Sequence, residues 1–230
     1  METFSQAYVQ ADFFGKLIFF ALFLLSCGCW VFAIQKFLLL KRVKLSAKHF
    51  QKIAAMRKEE ILNVNAQSKS PFAVLYNVLK EKTLAILDKN RFFSGENPNY
   101  LSNADVEFLD SHLHAAITKE RERIERNFFV LPMATTLAPF LGLLGTVWGI
   151  LITFGEMQAG HAITSNSAVL GGLSTALTTT VLGLLVAIPT LVAYSYLKNA
   201  SRRFAIEMVD FSHFLLSTVE LQYRKVDVDP

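Results

Sequence analysis

Charge is what this chain most lacks. Between Asn127 and Leu197 the single Asp, Glu, Lys or Arg is Glu156, and between Lys16 and Lys36 there is none. The charged share of the whole chain is 18%, beside 52% apolar residues and 20 Phe in 230 positions. Soluble domains carry about 25% charge, so an ordinary water-soluble fold is excluded and a membrane protein with a sizeable polar part is indicated. The formal net charge of +4 is small and unevenly placed, which argues against a nucleic-acid binder and for a basic membrane-facing side. Cysteine is almost absent. Cys27 and Cys29 stand two apart in one apolar run, where helical geometry points them in different directions, so neither a disulfide nor a thiol metal site follows.

The motifs of catalysis are missing too. The sequence has no HExxH, no GxSxG, no GxxxxGK[ST] and no pair of carboxylates within an apolar run. Ser174 follows Gly171 and Gly172, but no His or Lys within the run could activate it. His112 and His114 stand at i, i+2, poor geometry for a shared metal on a helix. The expectation is a protein that is not an enzyme and has no cofactor and no metal.

What is present is three long uncharged runs. Leu17 to Gln35 is bounded by Lys16 and Lys36 and, at about 1.5 Å per residue, nearly covers a hydrocarbon core of roughly 30 Å. A cleaved signal would need a basic start and a shorter apolar core, so an uncleaved anchor helix is expected. Leu24-Leu25-Ser26-Cys27 only faintly resembles a lipoprotein box, because the run continues past Cys27. The second and third runs centre on Leu137–Gly149 and Gly171–Tyr194. Basic residues set the orientation: residues 1–15 and the turn between the later runs have no Lys or Arg, whereas Lys36–Arg126 holds 17 against 11 Asp plus Glu. The last segment opens on Lys198, Arg202 and Arg203. The positive-inside rule puts the N-terminus and the short turn outside and the large segment and tail inside.

The expected fold is all-α: three transmembrane helices with long cytoplasmic helical extensions. Its parts are an outer N-terminal stub (1–15), helix 1 (16–36), a cytoplasmic helical domain (37–127), helix 2 (128–156), an outer turn (157–167), helix 3 (168–197) and a cytoplasmic tail (198–230). Within the cytoplasmic domain the periodicity predicts a basic helix over 36–62, a break at 63–71, a helix over about 72–89, a loop at 95–99 and a third helix capped by Asn103 or Asp105. The mixed charges of Lys119–Arg126 read as a solvated or interhelical face.

Inside the later runs, small and hydroxylated residues recur at helical spacing. Thr135, Gly142, Thr146, Gly149 and Thr153 form one stripe; Ala176, Thr180, Gly183, Ala187, Thr190 and Tyr194 form another. Such stripes let helices approach closely and bond across the contact, although a threonine in a membrane helix also bonds its own i−4 carbonyl. Pro132, Pro139 and Pro189 are expected to bend these helices or mark their ends. Proton paths ordinarily carry an ionisable group at membrane depth, and these runs have none. If the seam carries protons, the titrating carboxylate comes from another polypeptide.

Ala138-Pro-Phe-Leu-Gly-Leu-Leu-Gly-Thr-Val-Trp-Gly-Ile150, then Gly172-Leu-Ser-Thr-Ala-Leu177 and Val186-Ala-Ile-Pro-Thr-Leu-Val-Ala-Tyr194, resemble the TolQ/ExbB/MotA proton-channel family, nearest its TolQ and ExbB branch. The resemblance implies a pentamer in the bacterial inner membrane, with a periplasmic N-terminus and a cytoplasmic C-terminus. Its pore would enclose a TolR- or ExbD-like single-span partner that supplies a membrane aspartate. A TolA- or TonB-like periplasm-spanning protein is a further candidate partner, beside membrane lipids. Thr146 and Thr180 match the family's pore threonines, with Thr179 and Thr175 beside them. Gly142, Gly145, Gly149, Gly183, Pro139 and Pro189 would serve helix packing. Thr175 stands where many relatives have a glutamate. Alternative readings are a non-conducting pentameric scaffold, a MotA-type stator subunit and a passive small-solute channel.

Overall fold

A computed structural model describes residues 7–9, 11–56, 70–94, 100–158 and 166–223, all but a few of them helical. In chain order the helices are α1 (Phe13–Met56), α2 (Pro71–Ser94), α3 (Asn103–Glu125), α4 (Val130–Gln158) and α5 (Asn166–Tyr223). The all-helical expectation holds, and three stretches are long and apolar enough to cross a membrane: one in α1, one ending at Gly155 in α4, and one in α5. The expected loop at 95–99, most of the break at 63–71, and His161 lie outside the described residues, as does the side chain of Glu156.

Two compact units divide the chain. The first comprises Met1–Phe37 and Asn127–Leu197, and so holds the first part of α1, all of α4 and the first part of α5. Its packing core joins Ile18 and Leu22 of α1 to Ala138 of α4 and Ala187 of α5, flanked by Phe14, Leu25, Leu141, Leu182 and Val186. Large side chains from one helix meet alanines on the other two, which brings the three backbones close. Away from that core, Phe20, Phe140, Leu151, Phe154, Leu185 and Val192 stand exposed. So much outward apolar surface is unfavourable in water and suits lipid or another apolar helix.

Pro139 and Pro189 do not end these helices, whereas Pro132 stands at the start of α4. Pro139 and Pro189 lie inside α4 and α5, and Pro132 falls in the first turn of α4, where a missing N–H costs no intrahelical bond. Between α3 and α4 the chain turns through Asn127, which has φ 64°. Asparagine tolerates this left-handed conformation better than other residues with a Cβ, apart from aspartate.

The second unit comprises Leu38–Arg126 and Lys198–Pro230. Four helical segments contribute: the last part of α1, α2, α3 and the last part of α5. α2 starts at Pro71, a favoured first helical position, with Ser70 O accepting from Val74 N at 3.1 Å. α3 is capped by Ser102 rather than by Asn103 or Asp105. The Ser102 side chain accepts from Asp105 N, while Asp105 reaches back to Ser102 N at 2.9 Å. Asp105 therefore sits at the third helical position of a capping box, one turn inside the cap.

α5 continues in helical form past the basic cluster as far as Tyr223. Phe204, Met208, Phe211, Leu215 and Val219 recur at spacings of three and four and are all buried, the signature of a core-facing helical stripe. Phe211 stacks on Phe72 of α2 at 4.4 Å and meets Phe50 of α1 edge-on at 6.2 Å. Polar links fix the rim: Lys44 to Glu207 at 2.7 Å, and Ser201 Oγ to Glu125 Oε1 at 3.1 Å. At the mixed-charge end of α3, Arg121 is exposed while Glu120 is buried.

Phe211→Ala removes the ring at the centre of this aromatic cluster. A buried Phe→Ala change costs about 3–5 kcal/mol. Calorimetry of the purified chain is expected to show a separate, lower-temperature unfolding event in the variant. An unchanged melting curve would mean that the aromatic cluster does not hold this unit.

Candidate helix-pair seam

α4 and α5 pair antiparallel, and the small residues set their register. A Cβ placed on Gly183 would meet Ala138 O at 2.5 Å, and one on Gly142 would meet Thr179 O at 2.8 Å and Thr180 Cα at 2.9 Å. Further along, a Cβ on Gly145 would collide with the Thr179 side chain, and one on Gly149 would meet Ala176 Cβ at 2.8 Å. Gly172 likewise lies against the Thr153 hydroxyl. As positions rise on α4 they fall on α5, so one continuous contact runs along both stripes. At Gly142 and Gly183 it requires glycine because backbone faces backbone, whereas Gly145, Gly149 and Gly172 make room for the side chains of Thr179, Ala176 and Thr153.

Three threonine hydroxyls reach beyond their own helix. Thr180 Oγ1 donates to Gly142 O at 3.0 Å. Thr179 Oγ1 lies 2.7 Å from Ala176 O on its own helix and 3.1 Å from Gly142 O across the seam. Thr175 Oγ1 lies 2.9 Å from Gly171 O and 3.3 Å from Ala7 O. A hydroxyl has one proton and two lone pairs, so each of these groups donates to a carbonyl and keeps acceptor capacity.

The other threonines of the stripes bond at home: Thr146 to Leu143 O at 2.7 Å, Thr153 to Gly149 O at 2.8 Å, Thr135 to Pro132 O at 2.7 Å and Thr190 to Val186 O at 2.7 Å. The seam is therefore a tight glycine contact with interhelical bonds concentrated near Gly142. Thr179 and Thr175 are buried, while Thr146 and Thr180 are half-buried, so the last two are the more open of the four candidate residues. Pro139 and Pro189 stand one position after Ala138 and one before Thr190 respectively. Pro139 thus stands beside Ala138, whose carbonyl meets Gly183.

One constellation was not legible in the sequence. Asp12 sits immediately before α1 and accepts from Gly15 N through Oδ1 at 2.9 Å, the geometry of a helix N-cap. Its other oxygen accepts from Trp148 Nε1 of α4 at 2.9 Å. Phe14 packs on the same indole at a centroid distance of 4.4 Å. Partial burial works against the carboxylate charge. The hydrogen bonds from Trp148, Gly15 and Phe14 outweigh that effect and hold the carboxyl below its ordinary value of 3.8. At the other end of this stretch of α1, the Lys36 ammonium lies 5.2 Å from the Phe128 ring and 5.7 Å from that of Phe32.

Among the described residues no cluster of three His, Cys, Asp or Glu is placed to hold a metal ion. Chemically, the seam offers hydroxyl and carbonyl oxygens in an apolar setting. It can solvate or pass on a proton brought to it, but it has no acid of its own to carry one.

Comparison with known proteins finds similar chains. A biopolymer transport protein ExbB of Xanthomonas campestris pv. campestris is 38% identical over 112 residues, covering 47% of this chain and 43% of that protein. The ExbB protein of Aquifex aeolicus is 42% identical over 103 residues, 45% of this chain and 67% of the relative. The Tol-Pal system protein TolQ of Pseudomonas aeruginosa is 32% identical over 100 residues, 44% of this chain and 43% of the relative. For the Xanthomonas and Pseudomonas proteins the matched segment is therefore less than half of the relative's length. The sequence model of one family matches residues 84–210, more than half of the 230 and the whole of the seam. The chain belongs to the MotA/TolQ/ExbB proton channel family.

Proposed function

We propose that this chain is the multi-span subunit of a proton-driven, energy-transducing complex of the ExbB or TolQ kind in a bacterial inner membrane. Several copies, five by the family resemblance, surround a single-span partner like ExbD or TolR, and that partner brings the titrating carboxylate. The N-terminus and the α4–α5 turn face the periplasm, while the 38–126 segment and the C-terminal part face the cytoplasm. A TolA- or TonB-like protein receives the work.

The carrying observation is the seam itself: hydroxyls whose protons go to backbone carbonyls and whose lone pairs remain, on helices without a single acid between Val130 and Gly155 or between Asn166 and Leu197. An acid from a partner, in its neutral form, finds acceptors at Thr146 and Thr180. Depth supports the placement. Lys16 and Lys36 are 20 positions apart, about 30 Å of helix, and Trp148, like many interfacial tryptophans, has its N–H on a polar group at one end of that span.

A specific observation also favours the scaffold alternative: four of the stripe threonines bond their own helix, as in ordinary membrane packing. Gentle extraction of the tagged chain from its native membrane, followed by mass spectrometry, tests the proposal. A stoichiometric single-span protein with an aspartate in its helix is the expected companion. Recovery of the homo-oligomer alone from several mild detergents would put the scaffold first.

A further inference from the structure

The described residues between Ala7 and Gly15 touch both partners of the helix pair. Ala7 O accepts from Thr175 Oγ1 of α5 at 3.3 Å, and Asp12 Oδ2 accepts from Trp148 Nε1 of α4 at 2.9 Å. Apolar packing follows the same path. Ala7 and Ala11 cluster with Phe19 and with Leu182 of α5, Tyr8 meets Phe19 edge-on at 5.8 Å, and Phe14 lies on Trp148. The two polar links span 168 and 136 positions of sequence. They are therefore tertiary contacts rather than by-products of a turn.

From this geometry we infer that the segment preceding α1 is a strap across α4 and α5, and that Asp12 is a positioning residue that fixes Trp148. Trp148 stands two residues after Thr146 on the same helix, so fixing the indole also fixes the rotation of α4 that presents the Thr146 hydroxyl. The functional consequence rests on the proton-path reading; the strap itself does not.

Asp12 is suited to holding rather than to carrying protons. Its carboxyl is held below the ordinary carboxylate value of 3.8. A depressed pKa contributes stability that is present above the unfolded value and lost as pH falls through the folded one. The link is thus constant from pH 8 to pH 5, and Asp12 stays ionised throughout. The other titratable groups described on this segment and the first turn of α1 are Tyr8 and Lys16; Trp148, Thr175 and Leu182, which face it from α4 and α5, do not titrate.

The chain has two tryptophans, so Trp30→Phe leaves Trp148 as the sole emitter in the full chain. Asp12→Ser keeps an N-cap for Gly15 but is too short to reach the indole, whereas Asp12→Asn keeps the size but has a single acceptor oxygen, which can serve Gly15 N or the indole N–H but not both. Acrylamide quenching of Trp148 is expected to rise about twofold in the Ser variant through local opening, to rise in the Asn variant as well, and to be flat between pH 8 and pH 5 in the parent. Parent-level quenching in the Ser variant, or a titration of the parent within that pH range, overturns the inference. Because quenching needs no proton flux, its outcome is independent of whether the chain conducts.

Discussion

Gly142→Ala is expected to disrupt the helix pair although it adds a single methyl group. The new Cβ falls 2.8 Å from Thr179 O and 2.9 Å from Thr180 Cα, and both are backbone atoms that cannot swing aside. Carbon atoms pack favourably at about 3.5–4.0 Å, so α4 and α5 must part, and parting lengthens the Thr180–Gly142 bond. Overpacking of this kind costs about 1–3 kcal/mol, and a lost interhelical bond in a membrane adds about 0.6 kcal/mol. Gly183→Ala meets Ala138 O at 2.5 Å and the Gly142 Cα at 3.3 Å, the same crossing seen from the other helix. The double variant should therefore cost less than the sum of the singles, since the first separation makes room for the second methyl group. Gly28→Ala is the control: nothing lies within 4 Å of its added Cβ, and helix propensity alone favours alanine. Thermal unfolding and oligomer yield in one detergent check all four. Wild-type behaviour of Gly142→Ala would mean that the helices do not cross at this glycine.

The sequence made the crossing visible because a backbone contact can be written only in glycine and alanine, and helical spacing aligns those residues on one face. The three apolar runs were visible for an equally local reason, the absence of charge over 19 or more positions. Other features depend on partners distant in the chain. Asp12 precedes an apolar run, a position that suggests a cap, yet nothing near it points to Trp148 some 136 residues away. The stub of residues 1–15 therefore read as a simple overhang.

Past Lys198 the charges ended the apolar run and hid a helix that was nevertheless written in the spacing of Phe204, Met208, Phe211, Leu215 and Val219. At α3 three neighbouring residues could each cap a helix; Ser102 prevails because Asp105 then falls where it can return the hydrogen bond. For the candidate site, residue types were legible and hydroxyl directions were not. Only the structure separates Thr180, bonded across the seam, from Thr146, bonded within its own helix.

That distinction makes Thr180→Val the most informative single substitution for mechanism. Valine keeps the branched shape and removes the hydroxyl. On the proton-path reading, proton-driven activity of the complex is expected to fall at least about tenfold, corresponding to the loss of roughly 1.4 kcal/mol or more of stabilisation along the path. Stability should fall only by about 0.6 kcal/mol, the typical worth of one membrane interhelical bond. Thr180→Ser restores the hydroxyl and should restore most of the activity. Thr179→Val is the counterpart: that hydroxyl is enclosed between the helices and lies 2.7 Å from Ala176 O, so its removal should affect stability more than activity. Thr146→Val should follow Thr180→Val, because both hydroxyls are half-buried and retain free lone pairs. A non-conducting scaffold predicts another ordering, in which activity tracks stability across all the variants. Activity and unfolding temperature measured on the same preparations separate the two, because packing alone cannot lower one tenfold while leaving the other nearly in place.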